Sequence, residues 1–200
     1  NGLLADIGIT NLVALEIGSW SVIAQLLALF VIRDFIQWWT HRLLHAVPAL
    51  WKYHKVHHSV EQMGFAAHLR YHWMETIVYR TIEYIPLAMI GFGIDDFFFV
   101  HMFTLAVGHW NHANIKVNLG PLKYIFNNPN MHMWHHAHDL PEGRKMGVNF
   151  ALTLSIWDYL FGTAYIPSSG KSIKLGFPGV SKFPKTFLGQ IFYGFNKKDQ

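Results

Sequence analysis

Cysteine is absent from the 200-residue chain. Disulfides and thiolate metal sites are therefore excluded, and any bound metal must be held by nitrogen or oxygen. Charge is scarce as well. Only 14% of residues are charged, where soluble domains carry about 25%, and this deficit points to a membrane protein. Apolar residues make up 52% and aromatics 16%, in keeping with that. The net charge of +4 is small and the basic residues form no long run, so no nucleic-acid partner is expected. No Lys or Arg precedes Arg33, and no basic segment of a signal peptide opens the chain. The first residue is Asn1 rather than Met, so a trimmed N-terminus with a missing span is expected.

Several catalytic signatures are missing. None of the acidic residues up to Asp96, nor Glu142, has a histidine three positions on, as soluble di-iron bundles require. There is no zinc-protease H-E-x-x-H, no Rossmann glycine fingerprint, and no Ser-His-Asp or paired-carboxylate arrangement.

What is present is apolar helix and histidine. Leu12 to Ile32 contains no Lys or Arg; as a helix it would reach about 31 Å, the depth of a bilayer core. Nothing after it breaks a helix until Pro48, so the helix is expected to continue through QWWTHRLLH. Residues 75–113 are expected to form a helical hairpin entering the membrane, with Asp95 and Asp96 at the turn as helix cap. Arg80 and Glu83, three apart, are positioned to pair. Asn127-Asn128-Pro129-Asn130 reads as a turn, and Phe150 to Phe161 is too short to span and is expected to pack as a lid or core segment. The tail from Lys171 carries six lysines among aromatics and suits an anionic membrane surface or solvent. The fold expected is all-α, one domain over 1–200.

Fourteen histidines occur, and five lie in HRLLHAVPALWKYHKVHH, residues 41–58. His41 and His45 are four apart, about 40° around a helix. His54, His57 and His58 share one helical face, and His132, His135 and His136 repeat the pattern; His109 and His112 are three apart. Imidazole nitrogen suits iron, zinc, copper and nickel, and ten such ligands exceed what one octahedral ion takes. Two ions with four or five nitrogens each would use them all, so a dinuclear centre is expected. Binding of neutral imidazoles would weaken in acid.

These residues have a further consequence together. DFIQWWTHRLLH (34–45), LWKYHKVHHS (50–59), RYHWME (70–75), His112 with Asn114, and HMWHH (132–136) followed by WDYLFGT (157–163) resemble the fatty acid hydroxylase/sterol desaturase superfamily over roughly 33–163. The resemblance implies an integral-membrane enzyme whose histidine boxes hold two irons on the cytoplasmic face. It implies use of O2 and external electrons to hydroxylate or desaturate lipid C–H bonds. The ligands carried over are His41, His45, His54, His57, His58, His112, His132, His135 and His136, with His109 matching by spacing alone. His72, His138 and Asn114 are assigned beside the ligands, His101 to the core or a pathway, and His68 to no role. Phe97 to Phe99 are candidates for a substrate path, and Trp38, Trp39 and Trp51 for an interfacial belt or a wall around the metals. With no fused redox domain, a ferredoxin or cytochrome b5-like donor is implied, with Lys52 and Lys55 as docking candidates. The competing readings are a membrane metal-binding or transport protein, which would string ligands along its spans, and an inactive lipid-binding member of the same family.

Overall fold

The computed structural model describes residues 16–170 and 172–195. Among them all regular structure is helical, with two isolated β-bridges, Phe126 to Leu154 and Ala137 to Leu175.

Helix α1 (Val22–Ala46) starts at Ser21, whose hydroxyl accepts the Ala24 amide. It begins ten residues later than the apolar run Leu12–Ile32 predicts. Ile17–Ser19 form a 3-10 turn, Ser19 bonds back to the Glu16 carbonyl, and Ser21 caps the helix proper; the part of the run before residue 16 lies outside the described residues. At its other end α1 continues through the first histidine box and stops ahead of Pro48, which opens α2 (Pro48–His58) as its first residue. α1 is the one described helix long and apolar enough to cross a membrane.

After a 3-10 turn at Phe65–Leu69, α3 (Trp73–Ile90) and α4 (Ile94–Asn111) form the expected hairpin. Gly91, at φ 120°, takes the left-handed turn conformation. The cap falls two residues before the expected Asp95. Gly93 is the N-cap of α4, and Asp96 reaches back to accept the Gly93 amide at 2.9 Å. The three long helices close on Ile17, Leu29, Leu87, Phe92 and Val100. Their outer faces are apolar and exposed: Val22, Ile23, Leu27, Ile77, Ile85, Ile94, Phe98, Phe99 and Phe103. That pattern marks a surface built to meet lipid or a partner.

The Asn127–Asn130 segment starts a helix instead of a free turn. Asn128 accepts the Asn130 and Met131 amides, and Pro129 is the first residue of α5 (Pro129–His135). The 150–161 run is a core segment wrapped against α1, ending in the short helix α6 (Ile156–Leu160). Two buried aspartates hold it. Asp34 accepts the Thr153 and Leu154 amides and the Trp157 indole; Asp158 accepts the Phe150 and Ala151 amides and the Trp38 indole. The C-terminal segment packs too. Phe177, Val180 and Phe183 bury against Val56, and Gly176 donates to the His136 carbonyl before the short helix α7 (Phe187–Ile191). Lys174, Lys182 and Lys185 of that segment are exposed.

Candidate metal centre

The histidine boxes sit at the ends of four helices that converge. The C-terminal turn of α1 brings His41 and His45, α2 brings His54, His57 and His58, the residue closing α4 is His112, and α5 with its closing residue brings His132, His135 and His136. The rings assemble into two groups. His41, His45, His54, His58 and His135 form one, and His57, His112, His132 and His136 the other. Within each group the ligand atoms all lie within 4.8 Å of one another. Except for His45, which is half-buried, these side chains are buried.

The protons on these rings are largely dictated. A backbone carbonyl can only accept, so a ring nitrogen bonded to one must carry hydrogen. His41 Nδ1 donates to the Phe150 carbonyl at 2.7 Å, His57 to Arg70 at 3.2 Å, His112 to Gly108 at 2.7 Å and His135 to Val148 at 2.8 Å. His54 Nδ1 meets the Glu75 carboxylate at 2.8 Å, with both side chains 1% exposed. In a neutral ring the Nε2 atoms of these five are then bare lone pairs. Yet His41 Nε2 faces His54 Nε2 at 3.2 Å, and His57 Nε2 faces His112 Nε2 at 3.2 Å. Two acceptors at that separation repel unless a cation lies between or beside them. The Nε2 atoms of His45, His58 and His135 are buried with no protein partner. An all-nitrogen donor set with unmet lone pairs fits first-row transition-metal ions.

Electrostatics agree. Burial drives the His135 pKa down to about 3, against a smaller upward pull from the Val148 carbonyl. Burial, then the neighbouring rings, holds His57, His58, His132 and His136 well below 6.5. These five rings are therefore neutral at physiological pH, the form a metal requires.

The remaining predicted residues lie elsewhere. His109 stands outside both groups, because a three-residue step turns it about 60° from His112 around the helix. Its ring stacks on Phe65 at 4.1 Å and its Nδ1 bonds the Phe65 carbonyl at 3.0 Å. His72 caps α3 by accepting the Met74 amide, which places Glu75 two residues into the helix beyond Trp73. His138 is spent on Asp139, and Asn114 is exposed. Of the tryptophans, Trp51 is wall, packing on His45 and His58; Trp38 is buried on Asp158, and Trp39 faces outward, 40% exposed. Lys52 lies against Gly194, and Lys55 over the Phe177 ring.

Two residues of the site carry no assignment in the histidine pattern. Glu75 was present in RYHWME, but only the fold shows that it holds His54. His68 is buried, 5.0 Å from the His112 ring, and occupies space that any side chain at Gly108 would fill. No spacing rule links it to the boxes. A cavity of about 100 Å³ opens beside both groups, lined by His41, His54, His57, His112 and His132 among others.

A family model for fatty acid hydroxylase matches residues 26–163. An ornithine lipid hydroxylase of Rhizobium tropici is 34% identical over 90% of the chain and 53% of its own length. An alkylglycerol monooxygenase of Xenopus tropicalis is 36% identical over 69% of the chain and 30% of its length. A methylsterol monooxygenase of Arabidopsis thaliana is 27% identical over 71% and 47%. The chain thus spans about half the length, or less, of these curated relatives. No solved structure matches it. With the histidine boxes of the matched region gathered into paired groups, the chain belongs to the fatty acid hydroxylase family.

Proposed function

We propose that the chain is a membrane-bound, non-heme di-iron oxygenase that hydroxylates or desaturates a lipid C–H bond. The observation that carries it is the pair of Nε2–Nε2 contacts at 3.2 Å, each between rings whose protons are already committed to the other nitrogen. His41, His45, His54, His58 and His135 would hold one iron, and His57, His112, His132 and His136 the other. Such ions, when bound, supply the reduction of O2 to an oxidant able to take hydrogen from a CH2 group. The chain's own part is to orient the rings through carbonyls and Glu75, and to exclude water by burying them. Clustering of the ligands in two compact groups, with none strung along α1 towards its N-terminus, favours an oxygenase over a metal transporter.

The relatives' names make polar lipids the first substrates to examine, including amino-acid-linked and glycerol-linked ones. α1 would cross the membrane, the apolar outer faces of α3 and α4 would meet lipid, and the histidine end would lie on the cytoplasmic side as part of one domain. Electrons would come from a separate ferredoxin or cytochrome b5-like carrier.

The test is expression of the intact protein in a lipid-producing host, with iron per chain measured and lipid extracts compared by mass spectrometry. Two irons per chain are expected, with gain of an oxygen atom or loss of two hydrogens in one lipid class. His135→Ala should abolish the product and lower the metal content. Wild-type product from that variant would overturn the ligand set.

A further inference from the structure

The cavity beside the histidines does not end at them. Along α1, His41, Gln37 and Arg33 follow at four-residue steps; along α3, Glu75, Tyr79 and Glu83 do the same; along α4, Thr104 lies eight residues before His112. Four-residue steps keep to one helix face, and eight residues advance about 12 Å. All these side chains line the one cavity, with Thr76, Arg80 and His101. Three helices with apolar outer faces thus enclose a lane about 12 Å deep, running inward from the metal centre, whose walls are largely carbon but carry buried polar atoms. A plain acyl chain could lie against the carbon but would leave those buried polar atoms without hydrogen bonds.

Apart from ring nitrogens, the lane leaves one buried donor, Arg33 Nε, without a partner, against three acceptors. Glu83 Oε2 accepts from Arg33 at 3.3 Å and from Arg80 at 3.2 Å, but its Oε1 is buried without a partner. Glu75 Oε1 is taken by His54, and its Oε2 is likewise unpartnered. Gln37 Oε1 is the third buried acceptor with no donor. Glu75 and Glu83 are 1% and 0% exposed. The formal charges of Arg33 and Arg80 already match those of Glu75 and Glu83, so the deficit is in hydrogen-bond donors and not in charge. Thr76 is exposed and the Arg80 side chain is 40% exposed, which places the mouth of the lane on the outer side of α3.

We infer that this lane receives the polar end of the lipid substrate, a head bearing N–H or O–H donors, so that the carbon oxidised lies within or next to that head. The inference rests on the oxygenase function proposed above and names which end of the lipid that site addresses. Amine, amide and hydroxyl heads share the required chemistry.

The experiment uses the iron-loaded full chain in detergent and three uncharged single-chain probes: hexadecanamide, 1-hexadecylglycerol and methyl palmitate, which has no donor. The two donor probes should bind at least about tenfold more tightly than the ester, as expected of one to two hydrogen bonds to buried acceptors. Gln37→Leu, which breaks no ion pair, should reduce that discrimination severalfold. Glu83→Gln should also reduce it, and a loss of folding in that variant leaves the Gln37→Leu result decisive. Equal binding of all three probes, or unchanged discrimination in Gln37→Leu, would mean that the lane holds water only and would overturn the inference. With a turned-over lipid, fragment mass spectra should place the new oxygen or double bond at the head end. A modification in mid-chain would sink this inference and leave the oxygenase function standing. Discrimination between probes with no oxidised product from any lipid would do the reverse.

Discussion

Among the described residues Glu75 is the only carboxylate bonded to a clustered histidine; His41, His57, His112 and His135 are steered by neutral carbonyls. A carboxylate makes the opposite imidazole nitrogen a stronger electron donor than a carbonyl does. Glu75→Gln should therefore keep the ring orientation yet weaken metal binding by roughly tenfold, and Glu75→Ala by up to roughly a hundredfold. Competition with a chelator, read by metal analysis, checks both. Acid should act on the same rings. His135 titrates at about 3 when folded and near 6.5 when unfolded. Between those values the unfolded chain holds more protons, so stability falls as pH drops below about 6.5, by up to about 1.4 kcal/mol per pH unit for each such ring. Above that pH the contribution vanishes. Metal-free protein should show a lower denaturant midpoint at pH 5 than at pH 7.5. Equal midpoints would show that the rings are not buried in solution.

Helices and the segments between them carry their own predictions. Asp34 on α1 holds two amides and an indole from residues more than a hundred positions away. Asp34→Ala would strand those buried donors and should cost about 3 kcal/mol, measurable by unfolding in mixed detergent. Gly108 lets α4 approach the His68 ring so closely that an added Cβ would collide with it. Gly108→Ala should push His68 away from His112 and perturb the four-histidine group, lowering metal content while leaving helicity intact. Neither grip is visible in a linear sequence. Spacing reports residues on one helix face, and hydropathy reports a run of apolar residues. For the same reason the helical hairpin, the stop before Pro48 and the faces of the histidine boxes were legible, while the start of α1 was not. The apolar run ignores the turn at Ile17–Ser19 and the cap at Ser21. His109 was misleading because two histidines three apart look paired until the neighbouring turn at Phe65 is seen to occupy one of them.

Taken whole, the molecule is a bundle with apolar outer helical faces at one end and a knot of buried imidazoles at the other. It should stay in the membrane pellet after alkaline carbonate washing and leave it only with detergent; release by carbonate would contradict a spanning α1. The gathering of the rings also sets an order of events in the cell. The last box, His132 to His136, completes both groups, and the segment after it closes over Val56 and the His136 carbonyl. A metal pair held by both groups, as proposed, could not be lodged permanently while the ribosome is still making the first half of the chain. Metal loading would then be a late step of maturation, and a nascent chain stalled before residue 132 would expose bare imidazoles to whichever ion meets it first.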